Sequence, residues 1–317
     1  MLNRIAAVSV GWCLGILDEG FEQASELTAL PLTGLFGYHV SDEVTLEESM
    51  SFIDSVCTDL DAIREKRPLV HSITNYVVMN ETANATLCIG ALPIMSHAIE
   101  EVEEMVGIAS SLVLNIGTLT PDWINAMELA GKRANELNIP VILDPVGAGA
   151  TRLRTDSSKR LLENVRISIV RGNAAEVATL AGIASEVRGV ESIGAAQTPD
   201  QIAKQFASTY GCTVAITGVV DVISDGKRTA KISNGDVMLS RVVGTGCMSN
   251  VIVAAFAAVE SDTFTAAAGA LTAFGIAGEM AASESGNKPG TFHSELYNAL
   301  YALQSADVKS RAKVEIS

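Results

Sequence analysis

The 317-residue chain contains no unbroken apolar run of the roughly 18 residues that a membrane-crossing helix needs, so its sequence supplies no membrane partner. Basic residues are scarce. Twenty-two Lys and Arg stand against 37 Asp and Glu, a formal net charge of −15. A nucleic-acid binder needs a basic stripe, and none is visible. Any anionic ligand must therefore be held by local devices: helix N-termini, a few placed Arg or Lys, and a metal ion. Cysteines are few and dispersed (Cys13, Cys57, Cys88, Cys212 and Cys247), with no C-x-x-C pair. That pattern argues for reduced thiols and a cytoplasmic setting. What the chain has in excess is apolar residues, 48% hydrophobic against 19% charged, with a mean hydropathy of +0.29. Strands buried on both faces and helices buried between subunits account for such a composition.

The N-terminal segment differs from the rest. Ile5 to Leu17 follows Arg4 as an apolar run with the look of a short signal-peptide core, but Asp18-Glu19-Gly20 comes next and no small-residue cleavage site follows. Residues 31–45 read as loop. Residues 1–50 are thus expected to be an extension outside the main domain, with Met50 as an alternative start. From Asp54 onward apolar strands alternate with amphipathic helices. Strands are expected at Leu69–Thr74, Leu92–Met95, Ser111–Asn115, Pro140–Asp144, Ile167–Val170 and Thr213–Thr217. Helices are expected at Val77–Ile89, from about Ala98 to Ser110, and from Pro121 to about Asn138, the last capped by Thr120. Val219–Ser224 and Thr229–Ser233 flank Asp225-Gly226 as an antiparallel hairpin at a sheet edge. After Cys247 the chain reads as helix over about 248–260, 263–284 and 291–304. This βα alternation means an α/β fold with a mainly parallel sheet, one domain over 51–317.

In such sheets ligands bind beyond the carboxyl ends of the strands. Asn75, Met95, Asn115-Ile116-Gly117-Thr118, Asp144, Arg171-Gly172-Asn173 and Thr217-Gly218 all fall there, although turns also favour Gly, Asn and Asp at those places. The Gly244-Thr245-Gly246-Cys247 turn runs into an apolar helix, so its backbone N–H groups and the positive helix end form an anion site. No Lys-Ser/Thr follows, which excludes a Walker A loop. Asp144 and Glu176 suit Mg²⁺, which takes one or two carboxylates and keeps several waters. Arg171 can offset phosphate charge. Glu176 equally suits a first-turn helix carboxylate, and Cys247 a small buried apolar residue. His71 reads as a structural histidine in a strand, and His97 as a solvent-facing residue at a helix start.

In combination, His71-Ser72-Ile73-Thr74-Asn75, Asn115-Ile116-Gly117-Thr118, the Asp144–Ala150 run, the Arg171–Glu176 run and Gly244-Thr245-Gly246-Cys247 resemble the hydroxyethylthiazole kinases, thiamine-salvage enzymes of the ribokinase-like superfamily. The likeness covers about residues 55–305. It implies a three-layer α/β/α sandwich, ATP-dependent phosphorylation of 4-methyl-5-(2-hydroxyethyl)thiazole, Mg²⁺, and a homotrimer with active sites between subunits. It also implies that Asn75, Met95 and Gly244 meet the thiazole, that Arg171, Asn173 and Thr217 meet ATP, and that Asp144 and Glu176 form the magnesium region. Gly244, Thr245, Gly246 and Cys247 then form the catalytic turn. Related sugar kinases carry an Asp base where this chain has Cys247. A helix N-terminus should lower the thiol pKa and nearby phosphates should raise it. A kinase for another small alcohol, such as a hydroxymethylpyrimidine, and a non-catalytic thiazole or nucleotide sensor are the competing readings.

Overall fold

A computed structural model describes residues 40–183 and 197–317, with side chains from Met50 onward. Val44–Ser317 makes up one compact unit. The apolar run Ile5–Leu17 lies outside the described residues. Of the expected loop over 31–45, residues 40–45 instead belong to a helix, α1 (Val40–Lys66). Phe52, Val56, Leu60 and Ile63 recur at helical spacing along it and are buried, which fixes its inner face.

The strands alternate with helices as the apolar pattern requires. In order they are β1 (Leu69–Ile73), α2 (Met79–Ile89), β2 (Leu92–Ile94), α3 (Val102–Ile108), β3 (Ser111–Asn115), α4 (Pro121–Glu136), β4 (Val141–Asp144), α5 (Arg152–Asn164), β5 (Ile169–Asn173), α6 (Ala174–Leu180), α7 (Pro199–Tyr210) and β6 (Thr213–Thr217). The hairpin β7 (Asp221–Ser224) and β8 (Thr229–Ile232) comes next, then a 3₁₀ turn at Val237–Arg241. The chain continues through α8 (Thr245–Ala257), α9 (Thr263–Ser285), α10 (Pro289–Ala302), α11 (Ser305–Arg311) and β9 (Val314–Ile316).

All nine described strands form one sheet in the order β2-β1-β3-β4-β5-β6-β7-β8-β9. The first six in that row, up to β6, are parallel, and β7 to β9 are antiparallel. Successive side chains alternate faces. Val113 and Ile142 belong to one buried apolar cluster, with α1, α2 and α8 to α10, while Leu112, Leu114, Val141 and Leu143 belong to a second, with α3 to α7. The result is the three-layer α/β/α arrangement.

Several boundaries depart from expectation. The hairpin is not an edge, because Val314–Ile316 pairs with β8 and takes that place. Helix α3 starts only at Val102, and His97 lies in the loop before it. His97 is half-buried rather than solvent-facing, its ring 4.7 Å from that of Trp123. His71 is a buried strand histidine bonded to the Ser96 carbonyl at 2.9 Å, as its position suggested. One described helix, α9, is long and apolar enough to cross a membrane, but 83% of that window is buried inside the protein. Its buried apolar residues belong to the first apolar cluster.

Asp59 on α1 is 5% exposed and its Oδ2 has no hydrogen-bond partner. Burial, with Glu260 nearby, pushes its carboxyl up to about 6 from an ordinary 3.8. The folded state therefore holds this proton more tightly than the unfolded chain. Stability falls as pH rises from about 4 to about 6 and stays lower above that window. Asp59→Asn is neutral throughout and is expected to raise Tm by a few degrees at pH 7. At about 1.4 kcal/mol per pKa unit the gain is at most about 3 kcal/mol. Thermal melts across pH 4–8 check this: the gain should vanish near pH 4, and a pH-independent difference would contradict it.

Candidate active site

Most polar candidates stand where a strand ends: Asn75 just after β1, Asn115, Asp144, Asn173 and Thr217 as last residues of theirs, with Arg171 inside β5 and Glu176 in the first turn of α6. Because β1 leads first to β2 on one side and then to β3 on the other, the sheet order reverses between β1 and β3. A crevice opens at such a reversal. Its floor is a chain of side-chain amides. The Asn75 amide donates to Asn115 Oδ1 at 2.8 Å, and the Asn115 amide donates to Asp144 Oδ2 at 2.6 Å and to the Cys247 sulfur at 3.2 Å. Asn75 also lies 3.7 Å from that sulfur. Asn115 and Asp144 face one another in register across β3 and β4, which brings them together.

The expected phosphate turn is tighter to its helix than its sequence suggested, since α8 starts at Thr245 rather than at 248. Gly244 caps it with φ +92°, and a Cβ there would lie 2.8 Å from Val78 Cγ1, so both backbone and space demand glycine. The first bond across that helical turn is Met248 N–H to the Gly244 carbonyl. The N–H groups of Thr245, Gly246 and Cys247 precede it and carry the positive end of the helix. The Thr245 hydroxyl donates to the Leu239 carbonyl at 2.7 Å and anchors the turn.

At Cys247 the influences that raise a thiol pKa win. Burial first, then the neighbouring Asp144, pushes its thiol up to about 12, outweighing the Asn115 bond and Arg171. It stays protonated at neutral pH. Asp144 is itself 2% exposed. Burial raises its carboxyl to about 7, Arg171 and the Cys247 and Asn250 side chains hold it down, and Glu176 pushes it up. Two repelling carboxylates, one of them buried, are a donor set that a cation relieves. Both Glu176 oxygens already accept backbone N–H groups, from Gly147 at 2.7 Å and from Asn173 at 2.9 Å. Glu176 therefore straps the Asp144–Ala150 loop to the start of α6, and it keeps further lone pairs for a metal-bound water.

On the other side of the turn is a cleft of about 750 Å³, lined among others by Arg171, Thr217, Gly218, Asp221, Thr245 and Gly246. The Arg171 guanidinium lies against Gly246, about 3.0 Å from where a Cβ would stand. Arg171 Nε is buried without a hydrogen-bond partner. Arg171, Thr217, Thr245 and Gly246 are thus brought together. Asn173 is not among the cleft-lining residues: its side chain accepts from Glu176 N–H at 3.0 Å and caps α6. Met95 follows β2 directly and is half-buried at the carboxyl edge, one strand from Asn75.

Three residues escaped assignment. Asn115 is the hub of the amide chain, and its place as the polar end of a buried apolar strand was the available signal. Asn250 is buried on α8 beside Asp144, whose negative charge its amide helps to hold. A lone Asn in the apolar stretch Met248 to Val259 could have marked it. Asp221, read only as a hairpin residue, lines the cleft.

Residues 60–306 match the profile of the hydroxyethylthiazole kinase family. The chain belongs to that family. A hydroxyethylthiazole kinase from Thermoanaerobacter pseudethanolicus is 53% identical over 257 residues, covering 81% of this chain and 97% of its own. The solved hydroxyethylthiazole kinase from Pyrococcus horikoshii OT3 superposes with a TM-score of 0.76 at 43% identity, covering 83% of this chain and 98% of that one. A ribokinase-like superfamily protein from Enterococcus faecalis V583 shares the fold alone, with a TM-score of 0.52 at 14% identity over 73% of this chain and 86% of its own. The chain is therefore an enzyme, a kinase with the ribokinase-like fold.

Proposed function

We propose that this kinase transfers the γ-phosphoryl group of ATP to the hydroxyl of 4-methyl-5-(2-hydroxyethyl)thiazole, in thiamine salvage. The observation that carries the assignment of roles is the Gly244–Cys247 turn, which stands between the amide-floored crevice and the 750 Å³ cleft. In this reading the thiazole lies on the Asn75, Met95 and Gly244 side, and ATP lies in the cleft against Arg171 and Thr217. The α8 N-terminus and Arg171 meet the transferring phosphoryl group. Asp144 and Glu176 would hold Mg²⁺, directly or through water, and bound Mg²⁺ would neutralise phosphate charge.

A protonated Cys247 does not act as base. None of strength is needed, because phosphoryl transfer passes mostly through a loose transition state and the alcohol loses its proton late. Positioning by the amide chain and charge stabilisation by the turn carry the rate. Cys247→Ser is accordingly expected to stay within about tenfold of the parent kcat. Collapse to background in a folded variant would make the sulfur indispensable.

Residues 51–317 are read as the kinase domain, with 1–50 as an extension, working in the cytoplasm. Assembly is read as a homotrimer with sites between subunits. Apolar residues beside the site, Tyr76, Val77 and Val243, are exposed on the single chain and suit cover by a second copy. The deciding experiment is ADP release with hydroxyethylthiazole, ATP and Mg²⁺, with hydroxymethylpyrimidine as the rival acceptor. Turnover only with the pyrimidine would overturn the assignment, and a single-chain mass by light scattering would overturn the trimer.

A further inference from the structure

The carboxyl edge of the sheet orders the site's polar groups strand by strand, and all of those named here but Asp144 line the cleft. Asp144 ends β4, Arg171 lies on β5, Thr217 ends β6 and Asp221 begins β7. Neighbouring strands are about 4.8 Å apart, so Asp221 stands on the order of 10 Å from Arg171 and 14 Å from Asp144 along this edge. Among the residues lining the cleft, Arg171 is the lone cation, and it borders the helix end that suits phosphate. Groups further along the row face the part of a nucleotide that lies beyond its phosphates, the neutral nucleoside.

Asp221 is half-buried at that place. Its Oδ1 accepts the Gly218 N–H at 2.9 Å and closes the turn from β6 into β7. That is the one hydrogen bond to its side chain among the described residues, so Oδ2 keeps its acceptor capacity unused in a residue that lines the cleft. It forms no ion pair with Arg171 within bonding distance, although the guanidinium's field reaches it. A carboxylate at that distance from the phosphate end repels anions and attracts O–H or N–H donors. A turn that needed only closing would be served by Asn or Ser.

We propose that Asp221 is a specificity-determining residue for the phosphoryl donor, accepting a hydrogen bond from a neutral donor of the nucleoside, a ribose hydroxyl or the exocyclic amine of adenine. This rests on the reading that ATP occupies the cleft.

The test compares ATP, 2′,3′-dideoxy-ATP and ITP in steady-state kinetics of the full chain, its Asp221→Ala and Asp221→Asn variants, and Arg171→Ala. The parent enzyme should discriminate by tenfold or more, in KM, against the analogue lacking the contacted donor: the dideoxy form for a ribose hydroxyl, ITP for the amine. In Asp221→Ala the KM for ATP should rise about tenfold with kcat held within twofold, and that discrimination should disappear. Asp221→Asn keeps an acceptor and the Gly218 bond, and should fall between. A rise in KM equal for all three donors, with discrimination preserved, would reduce Asp221 to closing the turn and overturn the proposal. So would a parent enzyme indifferent to both analogues. Arg171→Ala separates the two levels. If it leaves the KM for ATP unchanged, the nucleotide does not use this cleft and the underlying reading fails. If it raises that KM while Asp221→Ala does not, the cleft assignment stands and the role of Asp221 alone falls.

Discussion

Replacing Asp144 with Asn is expected to lower kcat at least a hundredfold while leaving the protein folded and no less heat-stable. The two halves of that expectation have one cause. Asp144 is 2% exposed and sits beside Glu176, so the fold tolerates its charge at a cost: its carboxyl is raised to about 7. Asn keeps the shape and can still accept from the Asn115 amide, whose present bond to Asp144 Oδ2 is 2.6 Å. What it loses is the negative charge proposed to hold Mg²⁺. Removing one preorganised electrostatic group in a dry site typically costs a factor of 10² to 10³. Steady-state ADP release against Mg²⁺ concentration, with a melt of the same preparation, separates the effects. A variant that keeps a tenth of its activity, or one that loses activity only through unfolding, would remove Asp144 from the chemistry.

Gly117→Ala should strike the other side of the turn. A Cβ at Gly117 would lie 2.6 to 2.7 Å from Asn75 Nδ2, Cγ and Cβ. The clash includes the rigid stem of that side chain, so Asn75 must leave its place. With it goes the 2.8 Å bond to Asn115, and Gly117's own N–H bond to Asn115 Oδ1 at 2.9 Å is disturbed. The expected result is a rise of more than tenfold in KM for hydroxyethylthiazole, with the KM for ATP nearly unchanged, because the cleft lies across the turn. Overpacking of this kind also costs about 1–3 kcal/mol of stability. An equal rise in both KM values would show that the two sides are not separate.

The fold was largely legible because its signals are local. Runs such as Leu112-Val113-Leu114 bounded by polar ends are what a strand buried on both faces requires, and Thr120-Pro121 announces a helix start. The misses come from long-range pairing. Nothing in Val314-Glu315-Ile316 says that it will lie against β8, and without that partner the hairpin reads as an edge. His97 looked exposed because its cover, Trp123, comes from another segment. At the site, the glycine turn and the carboxylates were visible as residue types at strand ends. The direction of the Cys247 shift was not, since a helix N-terminus argues for lowering and only burial beside Asp144 shows that raising wins. Asn115 became central through strand register, which residue type does not carry.

The lacing around Asn234 has a consequence in time. This residue lines the cleft, its side-chain amide donates to Glu279 Oε1 and to the Arg311 carbonyl, and its Oδ1 receives the Lys313 N–H at 2.8 Å from 79 positions further along. On a ribosome making roughly 5–20 residues per second, Asn234 is made several seconds before Lys313. The parallel core strands are all synthesised by then, yet this wall of the cleft still lacks the segment that laces it. The order of manufacture thus leaves the wall of the cleft to be finished after the parallel strands it stands on.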